Sequence, residues 1–213
     1  MNLDDWARCV DPEILLDFVG SRLSDRKLRL FGCACFRRVW DHLASPDVKR
    51  IVELAESYAD GLETRERLRE TLKRAIELEA RLPQQIGKVR ELVVEEANWA
   101  AREGSKEAVA ERSVRAMFPP DIWREERRAQ CEILRDLVGD PFAEPIDFSR
   151  WRSDRTVGIA RQAYDEYRFD ALPILADALA DEDCDHQFVL AHCRSGQQHF
   201  RGCWVVDGLL GNE

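Results

Sequence analysis

The residues best suited to chemistry lie near the end of the chain: Cys184-Asp185-His186, His192-Cys193 and His199-x-x-x-Cys203-Trp204. These segments place three of the seven cysteines and three of the four histidines within twenty positions. Thiolate sulfur and imidazole nitrogen are the ligands that zinc takes in tetrahedral array, usually four to a structural site. Cys184, Cys193, His199 and Cys203 make a chemically suitable set. His199 and Cys203 are four apart and would share a face if helical. Gly196 and Gly202 leave the backbone free to bend around an ion.

The same residues admit two other readings. Cys193 or Cys203 beside His199 would form a thiol–imidazole pair for nucleophilic catalysis, which requires the imidazole to draw off the thiol proton. Alternatively the cysteines pack. Val189-Leu190-Ala191-His192-Cys193 continues an apolar run, and a buried cysteine behaves as a small hydrophobe. No C-x-x-C occurs, and the spacing fits no standard zinc knuckle. Cys184 and His186 are a weak pair, since Asp185 between them would serve as a helix cap instead. The acidic run Asp181-Glu182-Asp183 reads as a solvated turn.

The elements that must position these side chains read as helices. Leu, Ala, Glu and Arg dominate, and glycine and proline are sparse at 11 and 8. Asp11-Pro12-Glu13 is a cap, a first-turn proline and an acid at the positive helix end, and Gly20 closes that helix. Ser24 caps a second helix running to about residue 43. Ser45-Pro46-Asp47 starts a third, ended by Gly61. Residues 64–82 form a fourth, stopped by Pro83, and 84–102 a fifth before Gly104. Ser105 opens a sixth that breaks at Pro119-Pro120, and 121–138 is a seventh, closed by Gly139. Residues 140–154, with Pro141, Phe142, Pro145, Phe148 and Trp151, read as an ordered connector. Beyond it, 156–167 and 172–180 are helical, Asp185 caps a short helix through His192, and 204–210 is too short to assign. The fold class expected is all-α: a helical bundle over 1–139, the connector over 140–154, and a smaller Cys/His-containing helical subdomain over 155–213, packed on the first.

The second helix carries two further motifs. Cys33 and Cys35 form a C-x-C, but residues two apart on a helix point about 200° apart, so they cannot share an ion or a disulfide. Leu28, Phe31, Cys35, Val39 and Leu43 follow helical spacing toward a core, with Arg26, Arg29 and Arg37 on the other side. A basic outer face could touch phosphate. It more simply pairs with carboxylates of neighbouring helices.

Composition narrows the function classes. Hydrophobic residues are 45% and charged residues 34%, the balance of a globular chain. A formal net charge of -9 opposes wholesale nucleic-acid binding. No run of apolar residues suits a membrane span, and the acidic N-terminus lacks the apolar segment of a signal peptide. An odd number of cysteines without a disulfide pattern suggests free thiols in a cytoplasmic, reducing setting. The chain has no nucleophile elbow, phosphate loop, dinucleotide fingerprint, H-E-x-x-H or EF-hand loop. The six tryptophans are spread along the chain as packing anchors.

Two end segments carry a resemblance. They are Trp6-x-x-Cys9-x-Asp11-Pro12 with Ser24-Asp25-Arg26-Lys27-Leu28-Arg29-Leu30-Phe31-x-Cys33-Ala34-Cys35 and Arg37-Arg38-x-Trp40, and Leu190-Ala191-His192-Cys193-Arg194 with His199 and Arg201-Gly202-Cys203-Trp204-Val205-Val206-Asp207. Together they resemble the signatures of a large paralogous family of uncharacterised bacterial helical proteins. Gly32, Phe36 and Gly208 depart from that pattern, where Ala, Cys and Leu are expected, and residues 64–132 carry no part of it. The resemblance implies one intact protein and supplies no activity. The expectation is therefore a non-catalytic protein-interaction or regulatory module with an unidentified protein partner and no required cofactor. The alternatives are a zinc-stabilised protein using Cys184, Cys193, His199 and Cys203, and a Cys/His-dependent enzyme.

Overall fold

The computed structural model describes residues 1–38, 40, 46–79 and 123–212. Among them every regular element is a helix and there is no strand, as expected of an all-α fold. The ten α-helices are α1 Leu3–Arg8, α2 Pro12–Val19, α3 Asp25–Arg38, α4 Pro46–Ala59, α5 Arg65–Glu79, α6 Trp123–Val138, α7 Asp154–Asp165, α8 Leu172–Asp181, α9 Gln187–Arg194 and α10 Trp204–Leu210. Among the described residues no helix is long and apolar enough to cross a membrane. The expected helices over 84–102 and from Ser105 to Pro119-Pro120 lie outside the described residues.

The chain divides into two compact units, Met1–Leu134 and Arg135–Glu213. In the first, the start signals act as the sequence suggests. Asp11 Oδ1 accepts from the Glu13 amide at 3.1 Å, and Pro12 opens α2. Ser24 Oγ accepts from the Lys27 amide at 3.2 Å, and Thr64 Oγ1 from the Arg67 amide at 3.2 Å. These side chains satisfy first-turn amides that have no partner within the helix. The sequence reading gave no helix before Asp11, yet α1 forms there, because Asn2 and Asp5 cap each other reciprocally.

The α3 helix is more enclosed than a one-sided stripe requires, since residues 30–36 are all buried. Cys33 and Cys35 are both free thiols within that core. Its arginines meet acids: Arg37 makes a two-pronged ion pair with Glu56 at 2.9 and 2.7 Å, Arg26 reaches Asp60 at 3.0 Å and Arg38 reaches Glu126 at 3.2 Å. Arg29 lies over the Tyr58 ring at 4.7 Å. Arg37 also lies over the Trp40 ring at 3.9 Å, so the basic face is engaged within its own unit, in ion pairs and cation–π contacts.

The second unit closes around one apolar core. Phe148, Trp151, Tyr164, Leu172, Leu175, Leu179, Val189, Val206 and Leu209 are among its members. Residues 140–154 are part of this unit rather than a separate connector, because the 3-10 turn Phe148–Trp151 puts two aromatic rings into the core. Ser153 and Thr156 start α7 with a reciprocal cap, and the buried Thr156 hydroxyl donates to the Trp151 carbonyl at 2.6 Å. The α9 helix begins one residue later than the expected Asp185 cap. His186 holds the N-cap position, without a side-chain hydrogen bond to the helix. Residues 204–210 do form a helix, ended at Gly211 with φ 74°.

Candidate metal centre

Asp136 sits in the last turn of α6, fully buried at 0% exposure. The Phe200 amide donates to its Oδ2 at 2.9 Å. That bond leaves Oδ1 facing inward, where His199 Nδ1 stands at 2.6 Å and His192 Nε2 at 3.2 Å. His192 is in the last turn of α9, His199 in the loop that follows, and Cys203 at the N-cap position of α10. The loop turns through Gly196 at φ 68° and Gly202 at φ 92°, conformations that other residues adopt at a cost. Cys203 Sγ then lies 3.2 Å from His192 Nε2 and 3.9 Å from His199 Nδ1.

One ligand atom from each of Asp136, His192, His199 and Cys203 therefore lies within 4.8 Å of all the others. Zinc bond lengths of about 2.0–2.3 Å in a tetrahedron give donor-to-donor edges of roughly 3.3–3.6 Å. The four measured contacts, 2.6, 3.2, 3.2 and 3.9 Å, bracket that range. The donor types also suit zinc, and a carboxylate and a thiolate together match its two charges. A buried Asp/His/His/Cys group here could hold a metal ion.

The expected ligand set is brought together in part. His199 and Cys203 belong to the cluster. Cys184 and Cys193 lie outside it, packed in the apolar core. His186 also lies outside the cluster, and its ring meets the edge of Trp151 at 6.5 Å between centroids. His192 takes a place not assigned to it, and Asp136 was not singled out at all. The signal for Asp136 was an acid in the last turn of a helix, where the helix dipole disfavours it. It also stands three residues after Ile133 and beside Leu137, both buried.

The electrostatics follow from burial. Burial pushes the Asp136 carboxyl upward, but hydrogen bonds from His192 and His199 and their charge outweigh it, so it is held below the usual carboxylate range. Burial pushes the Cys203 thiol well up, and the Asp136 charge adds to this. Burial, then Asp136, pushes Cys193 up to about 12. Burial also raises Cys184. A nucleophilic cysteine and a metal-bound one both act as the thiolate, so either role works against this shift. The geometry also opposes a catalytic triad. Asp136 and Cys203 meet the same nitrogen, His192 Nε2, whereas a triad places the acid on the nitrogen remote from the nucleophile.

Comparison with protein-family models, curated proteins and solved structures finds no match to this chain.

Proposed function

We propose that the second unit holds one zinc ion on Asp136, His192, His199 and Cys203, and that the ion is structural. The chain then acts as a zinc-stapled helical module with a protein-binding or regulatory role and no catalysis of its own. The observation that carries the metal reading is the convergence of four ligand atoms of four different side chains within 4.8 Å. Four protein ligands leave no open position for substrate, the arrangement of structural zinc sites. Seven free cysteines suit a cytoplasmic setting. The ion would tie the end of α6 to α9 and to the start of α10, closing a long loop of chain, where a cross-link restrains the unfolded state most.

A second reading has its own observation. The 2.6 Å separation of Asp136 and His199 is shorter than a tetrahedral edge and suits a charge-assisted hydrogen bond. In that reading the four side chains form a metal-free polar staple. Metal content decides between them, measured on untagged full-length chain purified under reducing conditions. About one zinc per chain, lost in Cys203→Ser, supports the zinc site. A metal-free chain whose thermal midpoint is unmoved by added zinc overturns it in favour of the polar staple.

A further inference from the structure

One ligand of the proposed site lies next to the surface. The His192 side chain is itself nearly covered, at 8% exposure, but residues 194–198 after it are all exposed. A small hydrogen-bonded turn folds back over it. Ser195 Oγ donates to the His192 carbonyl at 2.8 Å and accepts from the Gln197 amide at 3.3 Å. Gly196 supplies the left-handed residue between them. The Gln197 side chain then places its Nε2 3.5 Å from His192 Nδ1. The two nitrogens of this imidazole therefore face different partners: Nε2 faces the site and Nδ1 faces Gln197.

We infer that Gln197 is the positioning residue for His192 and sets how readily the site takes up and releases its metal. The inference rests on the zinc reading above. Without metal, His192 Nε2–H donates to Asp136 Oδ1, and Nδ1 bears the lone pair that accepts from the Gln197 amide. Zinc requires the lone pair on Nε2, so the ring then carries its proton on Nδ1. The Gln197 amide has a donor at one end and an acceptor at the other. A half turn of the amide presents Oε1 to Nδ1–H, the outer contact that orients a metal-bound histidine. Glutamine thus satisfies the ring in both states. A carboxylate there favours the metal-bound state alone, and a side chain without hydrogen-bonding groups favours neither.

The protons balance. Zinc displaces the Cys203 thiol proton to solvent. Each imidazole must present a lone pair on the nitrogen facing the site and so keeps a proton on the other one. The carboxylate of Asp136 and the thiolate of Cys203 offset the two charges of the ion, which leaves the buried group neutral.

The test is the release of zinc from the full chain, loaded with one equivalent, into an excess of chromogenic chelator. Gln197→Ala is expected to weaken zinc binding about 10–100-fold, the usual effect of losing an outer partner, and to speed release accordingly. Gln197→Glu is expected to release zinc more slowly than wild type. Opposite shifts from one position are not what a merely structural role gives. Residue 197 is exposed, so both variants should keep the wild-type circular dichroism spectrum. Equal release rates in all three proteins overturn the role of Gln197 and leave the zinc site standing. A wild-type chain that takes up no zinc overturns the site and this inference with it.

Discussion

Oδ1 of Asp136 lies 2.6 Å from Nδ1 of His199, although 63 positions separate the two residues along the chain. The contact fixes the end of α6 to the loop before α10, and the Phe200 amide reinforces it through the other carboxylate oxygen. Removing the carboxylate leaves a buried backbone N–H and two imidazoles without their acceptor. Asp136→Ala is therefore expected to destabilise the protein by about 1–3 kcal/mol, the usual cost of leaving a buried hydrogen-bonding group unsatisfied. Equilibrium urea denaturation measures it. A loss below about 1 kcal/mol would show that the contact does not hold this unit together.

A second prediction concerns Gly208 and Phe148. A Cβ added at Gly208 would collide with Cδ2 and Cε2 of Phe148. The ring is held in the core, with Trp151 and Trp204 edge-on to it at 6.1 and 5.9 Å. It has little room to retreat. Gly208→Ala is expected to cost about 1–3 kcal/mol through overpacking. Combining it with Phe148→Leu should give a smaller total loss than the two single changes added together, and a double-mutant cycle reads this coupling. Strict additivity would mean that the ring is not the obstacle.

Glycines separate strain from contact. Gly61, Gly139 and Gly196 all have φ near +70°. Nothing lies within 4 Å of a Cβ at Gly61 or Gly196, whereas at Gly139 the Trp204 ring stands 3.0 Å away. Alanine at Gly61 or Gly196 should cost about 1 kcal/mol, the conformational penalty alone. Alanine at Gly139 should cost measurably more, by thermal denaturation of the three variants side by side. Equal losses at all three would remove the Trp204 contact from the account.

The helices were legible because their punctuation is local. Asp11-Pro12, Ser24, Thr64 and Gly139 each act within a turn of the residue that reveals them, and the structure starts or ends helices beside each. The candidate metal centre was half legible for the opposite reason. His199 and Cys203 announce themselves by type and by a four-residue spacing. Asp136 does not, because the chain holds 41 acids and one more in a helix draws no notice. Its meaning depends on burial and on which loop folds over it, neither of which a linear pattern carries. Cys184 and Cys193 misled for the complementary reason. Sulfur packs as well as it ligates, and the sequence cannot say which environment a thiol will meet.

Thiol labelling follows from those environments. Cys9 is partly accessible, and the other six cysteines are buried. Brief alkylation of the native protein at neutral pH should modify Cys9 first and leave Cys184, Cys193 and Cys203 intact until the chain unfolds. Cys193, pushed up to about 12 by burial, should stay unlabelled even when the pH is raised to about 9. Mass spectrometry of digested samples reports each site. Early labelling of Cys193 or Cys203 would contradict the packing described for this core.

The last prediction turns on Glu126. It is buried and accepts from Arg38 at 3.2 Å and from Gln130 at 3.4 Å. Burial raises its carboxyl above the ordinary value, and Arg38 and Gln130 offset this only in part. The native state therefore binds this proton more tightly than the unfolded chain does. From about the usual glutamate value upward to the raised one, the native form holds more protons, so this residue's contribution to stability falls as pH rises through that window. Glu126→Gln removes the titration. Wild type and variant should thus differ in the slope of stability against pH across the mildly acidic range, with the wild-type slope the more negative, as read from urea midpoints at successive pH values. A variant with the same slope as wild type would place the proton elsewhere. A wild-type slope more positive than the variant's would mean that Arg38, and not burial, governs this carboxyl.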